Sequence, residues 1–348
     1  MAQKLVIHLG DRKTGSTSVQ AALRRKTWRG GESLGFPVKG LHHQSLVKGL
    51  AAPRGPKRAF KSQARLLAQC EAQTAVISSE NFEDADPFQL KAAIERYFPE
   101  HAAETRLIAY VRPHVDRVVS SWAERTKLGL FLGDLDTFFL RNKKKGSFLY
   151  APRFQRWREA FGERFELRPM MREHLHQNCV VRDFLRFALQ TEQFELLEEP
   201  QANVSLSVED LALMREYHGA LIQYGMAGPG NKSAQALGRN LGLFLADQPG
   251  DRRTKVAAHS KLIPKLQKAY AADAAALDKM FFTGTPMSDA LAASEAKAVK
   301  APQSLRPEDH FGPEELRLIR VWASYAAQMS QIAPQEWAMH FSSWRLNT

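Results

Sequence analysis

Two short stretches hold residue types that suit phosphate. Lys13-Thr14-Gly15-Ser16-Thr17 follows the apolar run Leu5, Val6, Ile7 and Leu9 and precedes a segment, Ser16 to Arg24, that can wind as a helix. Strand, glycine turn and helix start bring successive backbone N–H groups and the positive end of a helix to one point. Glycine lets that backbone approach an anion closely. Lys13 adds a point charge, and the hydroxyls add donors. The second stretch is Arg112-Pro113, after the apolar residues 105–111, with Ser120 eight positions later in the following helix. An arginine fork with one hydroxyl is a phosphate clamp. Each stretch also has a plainer reading, a strand-helix junction carrying a chance basic residue.

The first stretch is not the usual triphosphate loop. Gly10 and Gly15 have the G-x-x-x-x-G-K-[ST] spacing, but Ser16 stands at the lysine position and Lys13 lies on the other side of Gly15. A kinase on a P-loop fold is one alternative reading, against which stands the lack of an aspartate placed to bind Mg²⁺ after an apolar strand. A non-catalytic nucleotide-binding protein on the same scaffold is another.

These residues need elements to position them. Residues 74–79, 105–111 and 164–168 read as further strands. Helices are expected from Thr17 to Lys26, Phe60 to Gln73, Pro87 to Phe98, His114 to Lys127, Tyr150 to Phe161, Val180 to Leu189, Lys261 to Phe282 and Pro313 to Ile332. Ser207 and Asp210 have the capping-box form at another helix start. Residues 29–43 read mostly as loop, and 51–58 as an exposed turn. Phe154, Trp157 and Phe161 are spaced for core packing. In the last helix Leu316, Ile319 and Trp322 are expected near one face. Strands alternating with helices predict a parallel sheet, with ligands at the strands' carboxyl ends. Lys13, Glu80 and Arg112 each follow such a strand, so they are expected to converge.

The chain has 348 residues, 44% hydrophobic and 25% charged, the balance of a folded domain with a sizeable core. No apolar span is long enough for a transmembrane helix, and the N-terminus lacks signal-peptide order. Without a secretory signal, Asn203-Val204-Ser205 is not read as a glycosylation site. Two cysteines, Cys70 and Cys179, exclude a disulfide framework and point to a reducing cytoplasm. The net charge of +12 attracts anions. Its basic runs, 24–26, 57–61 and 143–145, are scattered, and no nucleic-acid-binding signature accompanies them.

Lys13-Thr14-Gly15-Ser16-Thr17 resembles the 5'-phosphosulfate loop of the sulfotransferases that use 3'-phosphoadenosine 5'-phosphosulfate (PAPS). Arg112, Pro113, Asp116, Arg117 and Ser120 fall in register with that family's 3'-phosphate motif, with Trp122 in place of its tyrosine. His8-Leu9-Gly10, Ser78-Ser79-Glu80, the Tyr150 to Gly162 run and Asn203 to Ser207 extend the likeness to the family's bacterial branch, over residues 3–285. Arg12 replaces the common proline, Met170-Met171 replaces a tyrosine, and no third R-K-G-type loop is evident.

The resemblance implies a three-layer P-loop-like α/β fold with a central parallel sheet flanked by helices over 1–285, and a helical C-terminal region over 286–348. It implies sulfonyl transfer from PAPS to a hydroxyl or amine, leaving 3'-phosphoadenosine 5'-phosphate, with no metal. Lys13 would serve the bridging oxygen, with Arg12, Thr14, Gly15, Ser16 and Thr17 around the 5'-phosphate and Arg112 and Ser120 on the 3'-phosphate. Glu80 is the first candidate for general base, because cytosolic relatives carry a catalytic histidine at that strand end. His42 and His43 follow, as histidines titrating near neutrality; His8, within a strand, is expected to be a core residue. The acceptor is unspecified; the basic runs suit an anionic one such as a sugar polymer.

Two phosphate motifs predict that 3'-phosphoadenosine 5'-phosphate binds much more tightly than AMP. Arg112→Ala should cost about 1.5–3 kcal/mol of that affinity, the size of a hydrogen bond to a charged group. Calorimetry with both nucleotides checks this, and equal affinities would remove the role given to Arg112 and Ser120.

Overall fold

A computed structural model describes residues 2–199, 205–226 and 231–332. In chain order the strands are β1 (Lys4–Gly10), β2 (Trp28–Arg29), β3 (Leu34–Gly35), β4 (Thr74–Ser78), β5 (Arg106–Val111), β6 (Phe165–Pro169) and β7 (Glu195–Leu196). The helices are α1 (Ser16–Arg25), α2 (Gln44–Leu50), α3 (Lys57–Ala68), α4 (Pro87–Tyr97), α5 (His114–Lys127), α6 (Leu135–Lys144), α7 (Ala151–Phe161), α8 (Val180–Leu189), α9 (Val208–Gln223), α10 (Lys232–Asp247), α11 (Ile263–Phe281), α12 (Pro286–Ala292) and α13 (Pro313–Ile332). Asn203 and Val204 lie outside the described residues, as does the C-terminal region beyond Ile332.

The chain forms two compact units. One holds 1–114, 149–202 and 270–291; the other holds 115–148, 203–269 and 292–348. This differs from the linear division expected at residue 285. The chain changes unit inside α5 and again inside α11, so proximity in sequence does not define the units.

The first unit is the α/β fold. Its sheet has the order β3-β4-β1-β5-β6, and every neighbouring pair is parallel. Residues alternate between faces along a strand. Val6, Val76, Ile108 and Tyr110 therefore join one core with Val19 and Leu23 of α1 and Phe184 and Leu185 of α8. On the opposite face Phe165, paired in register with Leu107, stacks on Phe154 and lies beside Trp157 of α7. Helices thus cover both faces, as the run of buried apolar residues in each central strand requires. From β1 the chain goes outward to β3, returns to β4 beside β1, then continues to β5 on β1's other side. That reversal sets the loops after β1, β4 and β5 side by side at one sheet edge, the usual ligand position in such sheets. The short edge strand β3 lies inside the stretch expected to be loop; two residues are too few to show a period. Likewise Trp28–Arg29 pairs antiparallel with Glu195–Leu196 in a separate ribbon.

One buried carboxylate organises the far side of this unit. Asp273 accepts from His114 Nε2 at 2.8 Å and from the backbone N–H groups of Tyr150 and Ala151 at 2.8 and 2.9 Å. It therefore supplies the N-terminal cap that α7 lacks locally and ties α7 to the residue opening α5.

In the second unit Ser207 and Asp210 form the expected capping box at the start of α9. Tyr217 and Leu221 of α9, Leu237 of α10 and Ala323 and Ala327 of α13 share a core. Trp322 is not part of it and is 65% exposed. It lies six residues after Leu316, about 240° further round the helix, whereas Ile319 and Ala323 fall on Leu316's side. Among the described residues no helix is long and apolar enough to cross a membrane.

Candidate functional site

The turn after β1 adopts the conformation its glycines allow. Gly10 has φ of 91° and Gly15 of 82°, both left-handed, and Lys13 adopts φ of 66° between them. A side chain at Gly10 would come within 2.7 Å of Glu80 Cα, so glycine is what lets the ends of β1 and β4 touch. At Gly15 it would meet Val180 at 2.9 Å and Met170 at 3.3 Å, which shows how tightly α8 and the end of β6 back the turn. Gly15 is also the N-cap of α1 and offers no side chain to its first amides. The start of α1 therefore has no N-cap side chain over its first amides, an arrangement that suits an anion.

Below the turn, Asp11 is 2% exposed and faces Arg153 of α7 through two hydrogen bonds of 2.8 and 2.5 Å. The guanidinium lies 4.2 Å from the centroid of the Phe154 ring. Burial disfavours its charge, but Asp11 outweighs that and holds the Arg153 pKa above its ordinary value. The Asp11 carbonyl accepts from Thr14 Oγ1 at 2.6 Å and Ser16 Oγ at 3.3 Å, closing the turn on itself. Thr14 and Ser16 are buried, while Lys13 and Thr17 are exposed. The five motif residues thus divide: the hydroxyls of Thr14 and Ser16 shape the turn, while Lys13 and Thr17 are exposed beside the start of α1.

Arg12 takes a different direction. It bonds Asp84, donates to Asn81 Oδ1 at 3.1 Å and lies 3.5 Å from Glu83, all on the 3-10 turn Glu80–Asp84. Its expected place among the 5'-phosphate ligands is set aside, because its guanidinium already serves these acidic neighbours.

Glu80 is half-buried at the end of β4. Its Oε2 accepts from Gln20 Nε2 at 3.4 Å; Gln20 also donates to Ser78 Oγ at 3.1 Å, and Ser78 Oγ lies 2.9 Å from His8 Nδ1. A chain of polar groups therefore runs from the core to Glu80. Accepting from Gln20, Ser78 can pass its own hydrogen to His8. His8 is fully buried between Tyr110 and Phe184, and burial pushes its pKa down to about 3, so it is neutral.

His43 is buried with both ring nitrogens committed to backbone. Nδ1 accepts from Ser78 N–H at 3.1 Å, and Nε2 lies 3.2 Å from the Pro37 carbonyl. Burial lowers its pKa to about 4, against the weaker opposing effect of these carbonyls. Such a ring fixes the Pro37–His43 segment to β4 and has no nitrogen left to accept a substrate proton, which removes His43 as a base. His42 beside it is partly exposed.

Arg112 closes β5 in this first unit and is partly buried. Ser120 lies in the second unit, where its hydroxyl bonds back to the Arg117 carbonyl at 3.2 Å. Trp122, at the motif's tyrosine position, is buried and donates to the Gly133 carbonyl at 2.9 Å.

Two residues with evident roles were not singled out from the sequence. Gln20 gave a signal, a polar residue between Val19 and Leu23 on the face that α1 must bury. Arg153 gave none of its own; the hint was Asp11, an acid among residues bound to be buried. No protein-family model matches the chain, and no curated protein matches it.

The buried histidines make acid stability a test of this geometry. Below the ordinary value of 6.5 the unfolded chain takes up protons that folded His43 and His8 refuse. Stability should therefore fall from pH 6.5 to about 4 for His43 and about 3 for His8, by roughly 1.4 kcal/mol per unit for each. Urea midpoints across this range, with the ring-proton NMR of His43, check it. A His43 signal that titrates near 6.5 would contradict the placement.

Proposed function

We propose that this chain is a sulfotransferase that moves a sulfonyl group from PAPS to a hydroxyl or amine of an acceptor. The observation that carries the reading is the turn at 10–15, where Lys13 stands before Gly15 with left-handed backbone and leads into a helix start with no capping side chain. The Gly15–Ser16 backbone and Thr17 would hold the 5'-phosphate, and Lys13 the bridging oxygen. By resemblance of the motif, Arg112 would take the 3'-phosphate. The nucleotide supplies the activated sulfonyl group. Two free cysteines, Cys70 and Cys179, suit a reducing compartment such as the cytoplasm.

Transfer needs attacking and leaving oxygens in line and charge stabilised where it develops. The acceptor oxygen forms the new bond to sulfur as the bond from sulfur to the 5'-phosphate oxygen breaks. Its proton goes to Glu80, and the electron pair leaves with the phosphate beside Lys13. Gln20 holds Glu80 by one oxygen, which leaves the other for the acceptor. The rigid backing of the turn by Arg153, Val180 and Met170 keeps Lys13 in place without reorganisation at the moment of reaction.

Glu80→Gln keeps the side chain's shape and removes its basicity. It should retain affinity for 3'-phosphoadenosine 5'-phosphate and lose about 10²–10⁴-fold in transfer rate. Lys13→Ala should lower turnover more than affinity, because the charge it meets is greatest in the transition state. Single-turnover rates of PAPS consumption, set beside nucleotide titrations, separate the two effects. Wild-type rates in Glu80→Gln together with loss of activity in His42→Ala would move the base to the loop histidine.

A further inference from the structure

The last helix, α13, carries two apolar stripes. One includes Ala323 and Ala327 and faces the core shared with α9 and α10. The other holds Leu318, Trp322, Tyr325 and Met329, spaced four, three and four. At about 100° per residue these four lie within an arc of about 60°, on the side of the helix away from Ala327. Leu318, Trp322 and Tyr325 are about half exposed or more, as is Val321 at the stripe's edge, and Met329 is partly exposed. The Trp322 and Tyr325 rings meet edge to face, with centroids 6.1 Å apart and planes at 85°. Rings already packed on each other lose little further freedom when something covers them.

Sixteen residues follow Ile332 in the sequence, and their spacing matches this stripe. Trp337, Phe341 and Trp344 recur at intervals of four and three, one face at a helical period. The order is mirrored about Ala333. Trp337 and Met329 are each four positions from it, Phe341 and Tyr325 eight, and Trp344 and Trp322 eleven. Pro334 has no N–H with which to extend the α13 ladder, and it suits the first position of a new helix. In two antiparallel helices joined by a short turn, each rising about 1.5 Å per residue, positions equidistant from the turn lie side by side.

A second copy of the chain fits this face less well. A handful of half-exposed side chains presents a few hundred Å², whereas a stable dimer buries about 800 Å² per partner. Charge does not call for a partner either, because Arg317 and Arg320 of α13 already pair with Glu314 and Glu216. We infer that residues 333–348 of the same chain cover this face, setting Phe341 on Tyr325 and Trp344 on Trp322.

Disulfide trapping in the full chain tests the register. Two cysteines bridge only when their Cα atoms lie within about 7 Å. Tyr325→Cys with Phe341→Cys should therefore lose both introduced thiols on mild oxidation and run as a monomer without reductant. Leu318→Cys with Phe341→Cys, offset by about 10 Å along the helix, should keep them. The single variants control for the native Cys70 and Cys179. Dimers linked through the introduced pair would give the face to a second copy, and equal bridging or none in the two pairs would remove the register; either result overturns the inference. Fluorine NMR of the chain labelled with fluorotryptophan reads the same contact without a crosslink. Phe341→Ser with Trp344→Ser should move the Trp322 resonance, assigned with Trp322→Phe, toward that of an indole in water, while the buried Trp122 and Trp157 keep theirs. A Trp322 resonance that stays in place overturns the inference as well.

Discussion

The ion pair between Asp11 and Arg153 is the constraint on which the candidate site depends. Asp11 sits in the turn itself, is almost wholly enclosed, and accepts two hydrogen bonds from one guanidinium. An enclosed carboxylate without its partner is costly, about 3–5 kcal/mol for a broken buried pair. The turn is therefore held to α7, and its own hydroxyls, from Thr14 and Ser16, close onto the Asp11 carbonyl. The position of α7 is fixed in turn by Asp273, which caps its N-terminus and bonds His114 next to the end of β5. The turn is thereby held by an arginine 142 residues from Asp11 and, through α7, by the still more distant Asp273.

This arrangement separates the buried charges that shape the turn from the exposed Lys13. Arg153 and Arg12 are spent on Asp11 and on the acidic turn after β4. Lys13 stands on the solvent side with Thr17, on left-handed backbone beside the helix start. Glu80 comes to the same edge because Gly10 lets β1 and β4 meet there, and Gln20 orients it from below. The neutral His8 at the inner end of that polar chain completes Ser78's hydrogen bonding without adding charge to the core.

The elements with strong periodicity were legible in the sequence. Val180 to Leu189 and Pro313 to Ile332 match to the residue, and the alternation of apolar runs with helices fixes a parallel sheet whose strand ends carry Lys13, Glu80 and Arg112. What was not legible depends on contacts between distant residues. The edge strand Leu34–Gly35 is defined only by its pairing with β4. His43 reads as a base candidate until Ser78 N–H and the Pro37 carbonyl take its ring nitrogens. Arg12 reads as a phosphate ligand until Asn81 and Asp84 claim it. Arg153 lies 142 residues from Asp11, so no local pattern announces the pair. Trp322 misleads because a spacing of three twice over drifts off the buried face.

The central claim is that the backbone at the start of α1 is an anion site. Amide hydrogen exchange of Gly15, Ser16 and Thr17 reads it directly. Adding 3'-phosphoadenosine 5'-phosphate should slow exchange at these three positions more than elsewhere in α1. Unchanged exchange there under saturating nucleotide would contradict the account.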